Sequence, residues 1–350
     1  MQYVSHQQAA QLLHNKFVVV LGGSVQRSVY KDLVLLLQKE KYLSLKQLRS
    51  KGELSFEQDC LVAGGCLGEM HNGTDYREVR QFRSDHHLVR YYFVTRVYSC
   101  YMRSILEEFR RGLKPDVVIV NSCVWDISRY LSTAMADYKE NLQKFFAELN
   151  GILPDKCLVM WNMALPVGER IKGGFLIPEI QHKAPQVSYD VIEANFYSAT
   201  LADFYGMDVL DLHFQFRSSL HHRTGDGVHW DAIAHRRMTA LLLHHSAQAW
   251  GVVMPWTPPA VEHAEVTGQQ PSYRKTTKPA DRQPRDHKFR HRPLRCDFSY
   301  GPLHYVEPYW HPHHHHHHYM RSSYHTGWHS APHSHYSRSP YDHRFHYFHY

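Results

Sequence analysis

Three short segments carry residue types that could together make a nucleophilic serine site. The first is Val19-Val20-Leu21-Gly22-Gly23-Ser24, an apolar run that ends at a hydroxyl. The second is Val120-Asn121-Ser122-Cys123-Val124-Trp125-Asp126, at the end of another apolar run. The third is Asp226-Gly227-Val228-His229-Trp230, an acid and an imidazole three residues apart. A serine hydroxyl attacks a carbonyl only when a base takes its proton, and the base must be oriented by a third group. Ser24, His229 and Asp226 are the candidates for these three roles. Each has a plain structural alternative when taken alone. Ser24 could be a helix N-cap, and Asp226 and His229 a capping acid and a surface imidazole. One histidine among 31 carries little weight. The order of the segments, and their shared placement at strand ends or a helix start, make the set informative.

The elements that must position these residues follow from the hydrophobic pattern. Gln7–Asn15 is expected to be a helix, and Phe17–Leu21 a strand buried on both faces. Gly22-Gly23 breaks that strand. Ser24 then starts a helix whose apolar face is Val25, Val29, Leu33, Leu36 and Leu37. A second strand is expected within Leu54–Val62, ending at Gly64-Gly65. Further strands are expected over Arg90–Val97, Asp116–Val120, Lys156–Trp161 and Met207–Leu212. Helices are expected over Ser99–Leu113, Tyr138–Leu149, Tyr189–Tyr205 and Ala232–Trp250. Strands that alternate with helices argue for an α/β fold, with helices on both faces of a mainly parallel sheet. In such sheets the ligand crevice lies beyond the carboxyl ends of the strands. Ser24 and Asn121 both stand just past a strand end.

The chain has 350 residues, of which 43% are apolar, and the aliphatic ones are concentrated before residue 250. This predicts one domain over residues 1–252 and a tail over 253–350, Pro- and Arg-rich first and then His- and Tyr-rich. The tail has too few aliphatic residues to offset its chain entropy, so disorder is expected there. Its flanks mark the His313–His318 run as native sequence, and nothing fixes a geometry for a dedicated metal site. The formal charge is +7, with much of the excess in Arg274–Arg295. A solvated tail explains that excess without a nucleic-acid partner. None of the six cysteines forms a Cys-x-x-Cys pair, which suits a reducing compartment. The N-terminus lacks the charged start and long apolar stretch of a signal peptide, and no run reaches membrane-spanning length. A cytoplasmic or nuclear location is the expectation.

In order and context the three segments resemble the SGNH, or GDSL-like, hydrolase superfamily. Within it the chain is most similar to the PC-esterase-domain-containing protein family, relatives of polysaccharide O-acyl esterases. The resemblance covers roughly residues 14–250. It implies a three-layer α/β/α SGNH-hydrolase-like fold and no cofactor. It also implies Ser24 as nucleophile, His229 as base and Asp226 as its orienting acid. Asp226-Gly227-Val228-His229 matches the family's Asp-x-x-His block fully, and Trp230 extends it to the Asp-x-x-His-Trp form. The family's first block reads Gly-Asp-Ser, so Gly23 replaces its Asp. Its third block reads Gly-x-Asn-Asp, so Trp125 stands where the oxyanion Asn would be. Gly64 or Gly65 is the positional candidate for the oxyanion N–H, and Asn121 or Asn162 for a substitute amide.

Two functions follow from this reading. One is a serine acyl esterase acting on an O-acyl ester, such as that of a carbohydrate or glycoconjugate. The alternative is an inactive SGNH scaffold that acts as a binding or adaptor protein, with protein partners held by the tail. RNA binding by the tail is a weaker third reading.

Overall fold

The computed structural model describes residues 3–65, 73–122, 124–130, 134–172, 176 and 178–255. The predicted tail from residue 256 on, with its His313–His318 run, lies outside the described residues. So do Cys66, Cys123 and Cys296. Cys60, Cys100 and Cys157 are free thiols.

Lys16–Gly22 forms β1, and every residue from Phe17 to Gly22 is buried. The strand pairs in parallel along both edges, with His87–Phe93 (β4) and with Val117–Val120 (β5). A strand covered on both faces and paired on both edges has no place for a polar side chain, hence its unbroken apolar run. Leu158–Asn162 (β6) and Asp208–Leu210 (β7) continue the parallel array beyond β5. Beyond β4 the sheet changes sense. Glu78–Arg83 (β3) runs antiparallel to β4, and Cys60–Gly64 (β2) antiparallel to β3. The order is β2-β3-β4-β1-β5-β6-β7.

Two departures from the sequence expectations matter. The strand expected over Arg90–Val97 starts earlier and ends at Phe93. The Val94 N–H still donates to the Gly22 carbonyl at 3.1 Å, after which the chain leaves the sheet. β3 was not expected at all, because its sequence, Glu-Val-Arg-Gln-Phe-Arg, carries no apolar run.

Successive strand residues face opposite sides, and each side has its own core. Val18, Val20, Val117, Ile119 and Met160 face His6–Leu12 (α1), Ser24–Leu36 (α2) and the closing helix, Ala232–Ala249. Val19, Leu21, Val118, Val120 and Trp161 face Cys100–Arg111 (α4), Ala134–Ile152 (α6) and Ala184–Phe204 (α7). Three short α-helices complete the set among the described residues: Leu45–Arg49 (α3), Val124–Arg129 (α5) and Leu212–Phe216 (α8). The closing helix is therefore α9. The three-layer arrangement agrees with the expected fold class.

α2 is buried along nearly its whole length, polar residues included. One flank is explained by α9, where the Arg236 guanidinium grips Asp32 through Nε and Nη2 at 3.0–3.2 Å. The other flank holds a balanced set of buried charges. Arg80 donates to both oxygens of Asp59 at 2.8 Å and to Glu78 at 3.2 Å. Arg27 of α2 also reaches Glu78, at 3.2 Å, and Lys31 of α2 pairs with Glu53. Three cations meet three carboxylates, so no buried charge in the set is left uncompensated. This set ties β2 and β3 to the helix that carries Ser24.

Candidate active site

The turn after β1 is too tight for any side chain but hydrogen. A Cβ on Gly22 would lie 2.5 Å from Gln26 Cγ and 2.8 Å from the Asn121 carbonyl oxygen. Tyr91 of β4 holds the turn by donating its hydroxyl proton toward the carbonyls of Gly22 and Gly23, at 3.1 and 2.9 Å. Gly23 is the N-cap of α2 and makes no side-chain capping bond. Ser24 is thus the first helical residue rather than the cap. It stands at the carboxyl end of the central strand, over a helix N-terminus whose partial positive charge favours an anion.

His229 and Asp226 come from a tight hairpin ahead of α9. Arg223 and Trp230 bridge its stem, and the Thr224 N–H donates to the His229 carbonyl at 2.8 Å. Asp231 closes the stem by accepting the His222 ring N–H at 2.8 Å and capping α9 through the Ala234 N–H at 2.9 Å. The tip is pinned to the segment after β6. Gly168 N–H donates to the Gly227 carbonyl at 2.7 Å, and Lys172 N–H to the Asp226 carbonyl at 2.9 Å. Gly227 has φ +83°, and a Cβ there would meet the Arg170 carbonyl oxygen at 2.4 Å. Only glycine lets the two segments approach so closely.

These supports bring three side chains into line. Ser24 Oγ is 2.7 Å from His229 Nε2, and His229 Nδ1 is 2.7 Å from Asp226 Oδ2. The second carboxylate oxygen accepts from Thr224 Oγ1 at 2.8 Å, from Val228 N–H at 2.9 Å and from His229 N–H at 3.0 Å. Partial burial works against the charged form of Asp226. The hydrogen bonds from the His229 ring and from the backbone of His229 and Val228 outweigh it and hold the carboxyl well below the usual carboxylate range. A carboxylate can only accept, so His229 carries its proton on Nδ1 and presents Nε2 as an acceptor to the serine hydroxyl. A serine, a base with a free lone pair and an anchored carboxylate can together deprotonate a hydroxyl as it attacks.

The other candidate residues fare differently. Gly64 and Gly65 are not brought to Ser24. β2 is the outermost strand, with β3 and β4 between it and β1, a separation of about 14 Å at the usual strand spacing. The Gly65 N–H is moreover taken by the Arg77 carbonyl at 2.9 Å. Asn121 lies beside the Gly22 turn, but its side-chain amide donates to the Asn162 carbonyl at 2.8 Å. It fastens β5 to β6 rather than facing the serine. Trp125 does reach the site. Its indole Nε1 lies 3.4 Å from where a Cβ on Gly23 would be. The ring packs edge-on to Phe93 at 6.0 Å and under the Arg129 guanidinium at 4.5 Å.

Asp126 is buried and accepts from the Ser122 hydroxyl and, at 2.9 Å, from the Val97 N–H. It joins the segment after β4 to α5. Burial pushes its carboxyl up to about 6. Thr224 and Tyr91 were missed as site supports. A threonine two residues before the acid gives no distinctive signal, and a tyrosine in an apolar strand reads as core. Among the described residues no cluster of His, Cys, Asp or Glu could hold a metal ion. No described helix is long and apolar enough to cross a membrane.

No family model matches the chain. It is 63% identical over 247 residues to PC-esterase domain-containing protein 1A of Homo sapiens, which spans 70% of this chain and 54% of that protein. It is 57% identical over 254 residues to PC-esterase domain-containing protein 1B of Homo sapiens, spanning 72% of this chain and 59% of that protein. The chain is a homologue of the PC-esterase domain-containing proteins. It spans little more than half the length of these two relatives. Among solved structures, an acetyl xylan esterase covers 65% of this chain and is itself covered to 99%, at 15% identity and a TM-score of 0.39. The stretch shared with the PC-esterase domain-containing relatives is long enough to hold all three segments of the site.

Proposed function

We propose that the chain is a serine acyl esterase with Ser24 as nucleophile, His229 as general base and then general acid, and Asp226 as the group that orients His229. The observation that carries this reading is the unbroken hydrogen-bonded line from Ser24 Oγ through His229 to Asp226, 2.7 Å at both joints. As Ser24 Oγ bonds to the ester carbonyl carbon, its proton passes to His229 Nε2. The imidazolium faces Asp226, which stays ionised. His229 then returns the proton to the leaving alcohol, and water repeats the sequence to free the acid.

The developing oxyanion needs donors on the side of Ser24 away from His229. The first-turn N–H groups of α2 suit that role, since Gly23 offers them no capping side chain. The Trp125 indole N–H is the second donor we propose, in the slot where the family pattern has an amide. Gly23 gives the ring its room. An O-acylated carbohydrate or glycoconjugate is the substrate class proposed, on the resemblance and on the PC-esterase name of the relatives. The protein-binding role of the tail and the 1–252 domain boundary also stand as proposals.

A fluorophosphonate probe tests the central claim. Labelling of the full chain that is lost in both Ser24→Ala and His229→Ala is the expected result. A folded wild-type protein that does not label would overturn the esterase reading and favour the inactive scaffold.

A further inference from the structure

The same end of the sheet holds a second group of polar side chains that the hydrolysis does not use. On the side facing α2 and α9, the rows of β1, β5 and β6 run from Val20, Ile119 and Met160 to Gly22, Asn121 and Asn162. Gly22 has no side chain, and Gln26 in the first turn of α2 lies directly over it. From α9, a stripe at helical spacing crosses the same strands. Ser246, Leu242 and Thr239 share one small cavity with Val18, Val117 and Ile119. His235 is one turn further toward the start of α9. Trp230, next in the chain to His229, packs into the same core, 5.4 Å from the Phe216 ring.

Gln26, Trp230 and His235 are each 1% exposed, and Asn162 is fully buried. Six of their polar atoms have no hydrogen-bond partner among the described residues: both amide atoms of Gln26 and of Asn162, Trp230 Nε1 and His235 Nδ1. Buried polar atoms of folded proteins are satisfied by protein or by ordered water. The set offers both donors and acceptors, and a buried water makes about three hydrogen bonds. Six atoms suit about two waters.

We infer that Gln26, Asn162, Trp230 and His235 enclose a buried water site beneath the catalytic serine, and that its waters join the first turn of α2 to the start of α9. The two segments joined there are the ones that carry the triad. Gln26 is two residues after Ser24, and Trp230 and His235 are one and six residues after His229. His235 suits such a site because burial, with the neighbouring His229, pushes its imidazole down to about 3 and keeps it neutral. The four are positioning residues. The water site stands without the proposed esterase activity; its effect on catalysis rests on that reading.

High-resolution diffraction from crystals of the full chain tests the site directly. Solvent density within hydrogen-bonding distance of the Gln26 and Asn162 amides is expected. Direct pairing among the four side chains, or a dry space between them, overturns the inference. Gln26→Met keeps the length of the side chain and removes both polar atoms. It is expected to lose the waters and to label with fluorophosphonate roughly tenfold more slowly, since a 1 Å misplacement alone costs on the order of 10²-fold. Circular dichroism should be unchanged, and with an ester substrate kcat should fall while KM holds. Labelling at the wild-type rate overturns the coupling to the triad. A wild-type protein that never labels fails the esterase reading alone, and the diffraction result still decides the water site.

Discussion

The Ser24 hydroxyl lies 2.7 Å from His229 Nε2, although 205 positions separate the two residues in the chain. The contact joins the helix that follows the first strand to the hairpin that precedes the last helix. Neither segment holds the geometry by itself. Tyr91 and the Gly22 turn fix one side, and the Gly168–Gly227 approach fixes the other.

Asp226→Asn should leave the fold intact and lower activity by about 10⁴-fold. An amide at this position would donate to His229 Nδ1 and so move the ring proton to Nε2. That nitrogen could then no longer accept from Ser24. The rate of fluorophosphonate labelling, compared with Ser24→Ala, measures the effect. A loss of less than tenfold would remove Asp226 from the proposed role.

Trp125→Phe retains a ring against Phe93 and Arg129 and removes only the indole N–H. Loss of one oxyanion donor costs about 10²-fold or more in kcat. The expected outcome is a fall of that size in kcat with KM little changed. An unaltered kcat would show that the backbone N–H groups of α2 suffice.

Arg80→Leu should destabilise the domain by about 3–5 kcal/mol, because it leaves Asp59 as a buried, unmatched charge and takes one of two cations from Glu78. Urea unfolding followed by circular dichroism gives the number. The same variant should loosen β2 and β3 from α2, visible as faster amide exchange at Val79 and Phe82.

The buried Asp126 predicts a pH dependence of stability. Burial raises its carboxyl from the ordinary 3.8 to about 6, against the smaller opposing effects of Ser122 and Val97. The folded state therefore holds this proton more tightly than the unfolded state does. This group favours folding most below pH 3.8, and that contribution is lost as pH rises toward 6, a difference of about 3 kcal/mol. Asp126→Asn can still accept from Val97 and should flatten the stability profile between those two values. A profile of unchanged slope would contradict the assignment.

Much of the architecture could be read from the chain because β1 and β5 are covered on both faces. Their uninterrupted apolar runs, each ending at a glycine or asparagine, signal a parallel strand and the crevice beyond it. The Asp-x-x-His block and the Gly-Gly-Ser turn stood out for the same reason, since both fall where such strands and helices begin or end. β3 was hidden. Two of its inward positions are Glu78 and Arg80, fully buried yet charged, and they are tolerated because Arg80 meets Asp59 and Glu78 while Glu78 also meets Arg27. That hidden strand is also why Gly64 and Gly65 looked like neighbours of the serine. In a purely parallel sheet the strand after β1 would flank it, but the β2–β3 extension moves those glycines to the far edge. The segment after β4 takes the flanking position instead.

The packing of α9 against β1 and α2 has a consequence for how the protein is made. β1 and the serine-bearing helix leave the ribosome with one face of each still uncovered. Their cover is α9, about 200 residues later, and translation at roughly 5–20 residues per second imposes a wait of about 10–40 s. During that interval the nascent chain shows Val18, Val20, Val29 and Leu33 to solvent. A ribosome stalled before Ala232 would carry an adhesive chain that chaperones must hold, and any shortened product lacking α9 would keep Ser24 and His229 while losing the cover of its core and the helix that anchors the hairpin.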